Sequence, residues 1–166
     1  LIEEFDFSWT ASGEGVWRNS IQMSKHDPEK VHSKRAMFHP YQLNDYTPKI
    51  FFRDDGLSDL IGFEYSKRNS IEAAEDLVQN LVNIADFLGD SASRHVVSII
   101  LDGENAWEYY PHNGHHFLHH LYKRLSEHKR IRTAHFSELV DLPMCHELDK
   151  LCAGSWVYGS YSTWIG

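Results

Sequence analysis

The chain has 166 residues, 42% hydrophobic and 13% aromatic, enough for one domain with a real core and too apolar for a disordered segment. Its formal charge of -8 excludes a broad phosphate-binding face, because nucleic-acid backbones need a concentrated basic patch. No apolar run approaches the ~18–20 residues that cross a bilayer, so neither a nucleic acid nor a membrane is expected as partner.

In chain order, EFDFSWT (4–10) alternates acidic or polar with aromatic residues and predicts a first strand. It runs into ASGEG, which places Glu14 at the strand's end. Residues 24–47 are polar and contain Pro28 and Pro40, a long excursion of the kind that often carries function. KIFF (49–52) is a second strand, stopping at Arg53, Asp54, Asp55 and Gly56, and LSDLIGF (57–63) follows as a turn or short helix.

The next helix has the clearest pattern. Asn69 and Glu72 stand at capping-box spacing, and Ala74, Leu77, Val78, Leu81, Ala85 and Leu88 recur at helical spacing before Gly89 supplies a stop. VVSIIL (96–101) reads as a strand buried on both faces, ending abruptly in the acidic and aromatic stretch DGENAWEYY. A helix over 113–128 would bury Phe117, Leu118, Leu121, Tyr122 and Leu125, its basic C-terminal end complementing the helix dipole. Residues 132–136 suggest a fourth strand, with SEL (137–139) opening a loop or short helix. Strands alternating with helices imply an α/β fold with about four parallel strands and intervening helices. Four strands cannot close a barrel of the usual size, so the sheet is open or part of a barrel.

Cys145 and Cys152 match neither CxxC nor a zinc spacing and read as reduced structural thiols. No signal-like segment is visible, and the expectation is a cytoplasmic protein.

Three polar clusters follow three strands: Glu14; Arg53, Asp54 and Asp55; and Asp102, Glu104 and Glu108. In α/β folds functional groups gather beyond the carboxyl ends of the strands. Carboxylates converging there suit glycoside hydrolysis, where one protonates the leaving oxygen and another acts as nucleophile or base. On spacing alone, acids that merely cap the following helices are the commoner explanation. In HNGHHFLHH, His112/His116, His115/His119 and His116/His120 are four residues apart, a spacing that can present two imidazoles to a metal. Without the glutamate of HExxH, a solvated helix face is the stronger reading. Neither a Gly-rich phosphate loop nor a GxSxG nucleophile elbow occurs.

FFRDDGLSDLIGFEYS (51–66), LDGENAWEYYPHNGHHFLHHLY (101–122) and GSWVYGSYSTWIG (154–166) resemble, in this order, glycoside hydrolase family 57 in its α-amylase/α-mannosidase or amylopullulanase-like part. The resemblance implies an incomplete (β/α)7 barrel that hydrolyses or transfers α-linked glucans of the starch, glycogen or pullulan type, as an α-amylase, amylopullulanase or 4-α-glucanotransferase. It implies retention of configuration and no cofactor or metal. LDGE matches the family's acid/base motif at Asp102. The family's nucleophile is a Glu on an earlier strand, which the resemblance puts upstream of residue 1. Residues 1–166 would then be a partial catalytic domain truncated at both ends, inactive alone, and poorly soluble because its edge strands lack their neighbours.

By the same resemblance, Arg53, Asp54 and Glu104 hold sugar hydroxyls, and Trp107 and Trp156 are stacking platforms. Glu14 also falls at the substrate, although its loop departs from the acidic pair expected there. The partners implied are an oligo- or polysaccharide and the missing parts of the same chain. Two other readings remain at this point: a non-catalytic carbohydrate-binding module, and a metal-dependent hydrolase built on the histidine helix and Asp102.

Overall fold

The chain folds into two units, residues 1–54 with 94–98 and 134–166, and residues 55–93 with 99–133. The structure, a computed structural model, describes residues 2–24, 33–103, 106–143, 145–162 and 164–165. Among them, no helix is long and apolar enough to cross a membrane.

The first unit is built on a four-stranded sheet of order β1-β3-β2-β4, comprising β1 (Trp9–Ser12), β2 (Tyr41–Leu43), β3 (Lys49–Phe52) and β4 (His146–Leu148). The β1/β3 and β2/β4 pairs are parallel and β2/β3 is antiparallel, so the sheet is mostly parallel as expected. With its helices it makes a mixed α/β architecture consistent with part of a barrel. Strand β3 lies inside the sheet, which is why Ile50, Phe51 and Phe52 are consecutive apolar residues, all buried. Helix α1 (Glu14–Met23) contributes Val16, Trp17 and Ile21 to this core, and the single-turn α2 (Lys34–Met37) contributes Met37.

Two expected strands are placed differently. The first begins only at Trp9, because Asp6 adopts a left-handed φ of 57° and residues 2–6 form turns that leave Phe5 and Phe7 exposed. The fourth is not residues 132–136: Phe136 opens the short helix α6 (Phe136–Leu139), and its ring stacks on Phe51 at 4.5 Å. Residues 96–101 form no strand: within the first unit, Ser98 makes a single parallel bridge, to Arg53 at the end of β3. The amide of Val96 donates to Phe38 and that of Ile100 to the Ser58 hydroxyl, so these donors are satisfied without a continuous ladder.

The second unit is helical. It comprises α3 (Asp55–Asp59), continued by one π-helical and one 3-10 turn to Lys67, then α4 (Ser70–Leu88) and α5 (His115–Glu127). Asn69 caps α4 by accepting from the amides of Ile71 and Glu72, and Gly89 ends it at φ 61°. Ala74, Leu77, Val78 and Leu88 are buried as the spacing predicts, while Leu81 and Ala85 are half-buried. Helix α5 buries Phe117 and Leu121 but leaves Tyr122 exposed. It starts two residues later than expected, because His112, Asn113 and Gly114 all take positive φ. The basic stretch after Tyr122 is partly neutralised, Arg124 pairing with Glu75 and Arg130 with Asp86. Cys145 and Cys152 are free thiols.

A buried histidine gives the first unit an acid sensitivity. His39 is 5% exposed, and its ring lies 4.2 Å from that of His95 and 4.6 Å from that of His146. Burial, reinforced by the charges of His95, His146 and Arg94, pushes its pKa down from 6.5 to about 4. Between those two values the unfolded chain takes up a proton at His39 that the folded chain refuses. Stability from this group is therefore full above pH 6.5 and declines as pH falls toward 4, by up to about 3 kcal/mol. Melting curves of wild type and His39→Gln at neutral pH and near the lower limit check this. The variant should lose part of the acid-induced drop in Tm, and an equal drop in both would place the sensitivity elsewhere.

Candidate active site

In the parallel pair β1/β3, Ser12 stands opposite Phe52, so the residues that follow, Gly13 and Glu14 on one strand and Arg53 and Asp54 on the other, leave the sheet at the same edge. The Arg53 amide donates to Ser12 and the Asp54 amide to Ser98, which fixes the backbone of both residues. Glu14 is 7% exposed, Arg53 8% and Asp54 2%, unusual burial for charged side chains and therefore in need of partners.

The partners are cations. Glu14 Oε1 accepts from Arg18 at 2.6 Å, one helical turn along α1, and Oε2 lies 3.3 Å from Lys34 Nζ. The same Nζ is 3.1 Å from Asp54 Oδ2. One ammonium thus bridges two buried carboxylates from different elements. Burial by itself would lower the Lys34 pKa, but the charges of Asp54 and Glu14 outweigh it and hold the ammonium above its ordinary value. Helix capping does not account for Glu14. The N-cap of α1 is Gly13, no side chain caps that helix, and the Glu14 oxygens reach sideways to Arg18 and Lys34.

Trp156 completes this edge. The Arg53 guanidinium sits 5.4 Å from the centre of its indole, a cation–π contact, while the ring remains 45% exposed and open to a stacking partner. Its position depends on glycines that let the C-terminal segment lie against the start of α1. A Cβ on Gly13 would come within 2.9 Å of Trp156 Cα, and one on Gly159, at φ 65°, within 2.4 Å of the Gly15 backbone. The Asn19 amide donates to the Gly159 carbonyl and the Cys152 amide to the Ser20 hydroxyl, tying the segment down.

The structure therefore brings together Glu14, Arg53, Asp54 and Trp156 from the expected residues and adds Lys34 and Arg18. Lys34 was hidden in the polar excursion 24–47, where one lysine among several polar residues carries no mark. Its signal, available only afterwards, is that Ser33 caps the turn that presents it.

Asp102 belongs to the second unit, in the loop after residue 101, and is exposed. Glu104 lies outside the described residues. The half-buried Trp107 packs against Tyr110 at 5.5 Å and Phe117 at 6.2 Å, and sits so close over Gly114 that a Cβ there would meet it at 3.1 Å. His112, His115, His116 and His119 are exposed, in keeping with a solvated face. Among the described residues, no three His, Cys, Asp or Glu side chains are grouped as a metal ion would require. A separate hollow of about 570 Å³, walled by Glu3, Asp6, Lys49 and Asp141, opens where β1 and β3 begin, away from Glu14 and Asp54.

Buried carboxylates held by cations beside an open indole, at the carboxyl edge of parallel strands, offer hydrogen-bonding groups and a stacking face of the kind a sugar could use. The family model for glycosyl hydrolase family 57 matches residues 1–149, and the chain belongs to that family. It is thereby a glycoside hydrolase by class. No curated protein matches the chain.

Proposed function

We propose that this chain is part of the catalytic domain of a retaining glycosidase or transglycosidase acting on α-linked glucans, with Asp102 as acid/base and a glutamate upstream of residue 1 as nucleophile. The observation that carries the reading is the edge after β1 and β3, where the buried Glu14, Arg53 and Asp54 stand beside the open indole of Trp156. The role of Asp102 rests on the likeness of LDGE to the family's acid/base motif. Glu14 is a substrate contact in this reading.

The reaction proceeds in two displacements. A carboxylate oxygen of the upstream nucleophile bonds to the anomeric carbon as the glycosidic C–O bond breaks, and the proton of Asp102 passes to the leaving oxygen. Asp102, now a carboxylate, takes a proton from water, whose oxygen attacks the anomeric carbon and releases the nucleophile. With a sugar hydroxyl in place of water the same step is transfer. Arg53 and Asp54 supply donors and acceptors for sugar hydroxyls, and Trp156 offers an apolar face to a pyranose ring. We assign residues 1–166 as part of the catalytic domain.

Proton NMR of maltooligosaccharide hydrolysis by the whole protein tests the reading. The α-anomer should appear first, before mutarotation, which requires retention. Initial release of the β-anomer would contradict the double displacement. Binding of α-glucans without turnover would favour the carbohydrate-binding module instead.

A further inference from the structure

The histidines of HNGHHFLHH take no part in the strand-edge site, and their placement has a chemistry of its own. Helix α5 is anchored by Phe117 and Leu121, both buried, so the backbone of His116 in its first turn is settled. His112 stands just before the helix at φ 53° and ψ 38°, in the left-handed region that a residue other than glycine enters at a cost. The turn is held there from both sides. The Asn113 amide donates to the carbonyl of Tyr110, whose hydroxyl donates in turn to Ile61. Gly114 lies so close under Trp107 that a Cβ would meet the ring at 3.1 Å.

The unusual backbone of His112 brings its ring to 5.1 Å from that of His116, centre to centre, with the planes at 89°. Both side chains are exposed. Two imidazoles that share one tetrahedral zinc, at N–metal distances of about 2.0–2.1 Å, have their centres about 5 Å apart. His112 and His116 are thus at chelating separation before any ion arrives, and little rearrangement opposes binding. The rings of His115 and His119, also four residues apart, are 6.4 Å from one another, further than a tetrahedral ion allows.

We propose that His112 and His116 form a two-imidazole surface site for a late first-row divalent ion: zinc, nickel or copper. Imidazole suits these metals, with copper the tightest of the three, whereas magnesium and calcium take oxygen ligands. Among the described residues no third side chain joins the pair, so the remaining positions are open to water. A catalytic zinc keeps three protein ligands, so this ion stands apart from hydrolysis, and the proposal does not depend on the roles of Asp102 or Glu14. Its effect is on the backbone. The ion ties the left-handed turn at His112 to the first turn of α5, and so stabilises a conformation that is costly without it.

The test is titration calorimetry of the whole protein with nickel, zinc and magnesium, comparing wild type with His112→Asn, His116→Gln and His119→Gln. Asn tolerates the left-handed conformation, so His112→Asn removes the imidazole and keeps the turn. His112→Asn and His116→Gln should each weaken nickel and zinc binding by about 10-fold or more, since losing a ligand costs at least as much as losing an outer-shell partner. His119→Gln should bind as wild type does, and magnesium should compete at none of these positions. Nickel should also raise the Tm of wild type and of His119→Gln, but not of His112→Asn. Affinity unchanged in His112→Asn would overturn the proposal. So would a loss in His119→Gln as large as that in His116→Gln, or a wild type that binds neither nickel nor zinc.

Discussion

Glu14→Gln is expected to lower kcat/KM on α-glucans by about 10- to 100-fold, since the amide accepts weaker hydrogen bonds from sugar hydroxyls than the carboxylate does and no longer pairs with Arg18 and Lys34. The fold should survive. Gln is isosteric, and the local core of Val16, Trp17 and Ile21 does not depend on the carboxylate. Some stability is nevertheless lost, because Arg18 and Lys34 would each give up a charged partner, Lys34 keeping Asp54. Circular dichroism and a melting curve on the same preparation separate the two effects. Wild-type kcat/KM in a folded Glu14→Gln would remove Glu14 from the substrate contacts.

Asp102→Asn should be nearly as severe on starch and pullulan, about 10²- to 10⁴-fold in kcat, as expected for loss of a general acid. The loss should depend on the leaving group. An α-glucosyl fluoride departs as fluoride without needing a proton, so its first displacement should be far less affected, and the glycosyl intermediate should accumulate as a burst. An equal loss on both substrates would show that Asp102 is not the proton donor. Full activity on starch would move that role to Asp54, which shares Lys34 with Glu14, or to Glu104. Repeating the assay with a chelator addresses the metal-dependent alternative, since loss of activity that added metal restores would support it.

The elements legible in the sequence are those whose pattern comes from local physics. Helix α4 has its cap, its apolar spacing and its glycine stop written in consecutive residues, and it folds as read. Strand β3 has a run of three buried apolar residues, which only an interior strand explains. Strands β2 and β4 are three residues each and owe their existence to pairing with one another and with β3, so no run of residues announces them. The converse holds for residues 96–101, whose Val and Ile content suits a strand although only Ser98 bridges a neighbour.

The candidate site divides in the same way. Glu14, Arg53 and Asp54 could be found because acids and bases stand directly after strands, and Trp156 because it lies in a segment with a family likeness. The pairing of Glu14 with Lys34 could not, since it joins the start of α1 to a turn twenty residues on, across a polar excursion with no periodicity. The loop of Glu14 holds no second acid, and the structure places Asp54, from another strand, on the same lysine.

The central claim is that Asp102 is the acid/base of a double displacement, and one measurement bears on it directly. Asp102→Ala in the whole protein is incubated with an α-glucosyl fluoride and azide, and the product is read by proton NMR. The account predicts that azide restores turnover and yields the α-glucosyl azide, because azide enters on the face that Asp102 no longer guards. A β-glucosyl azide, or no azide product at all, would contradict it.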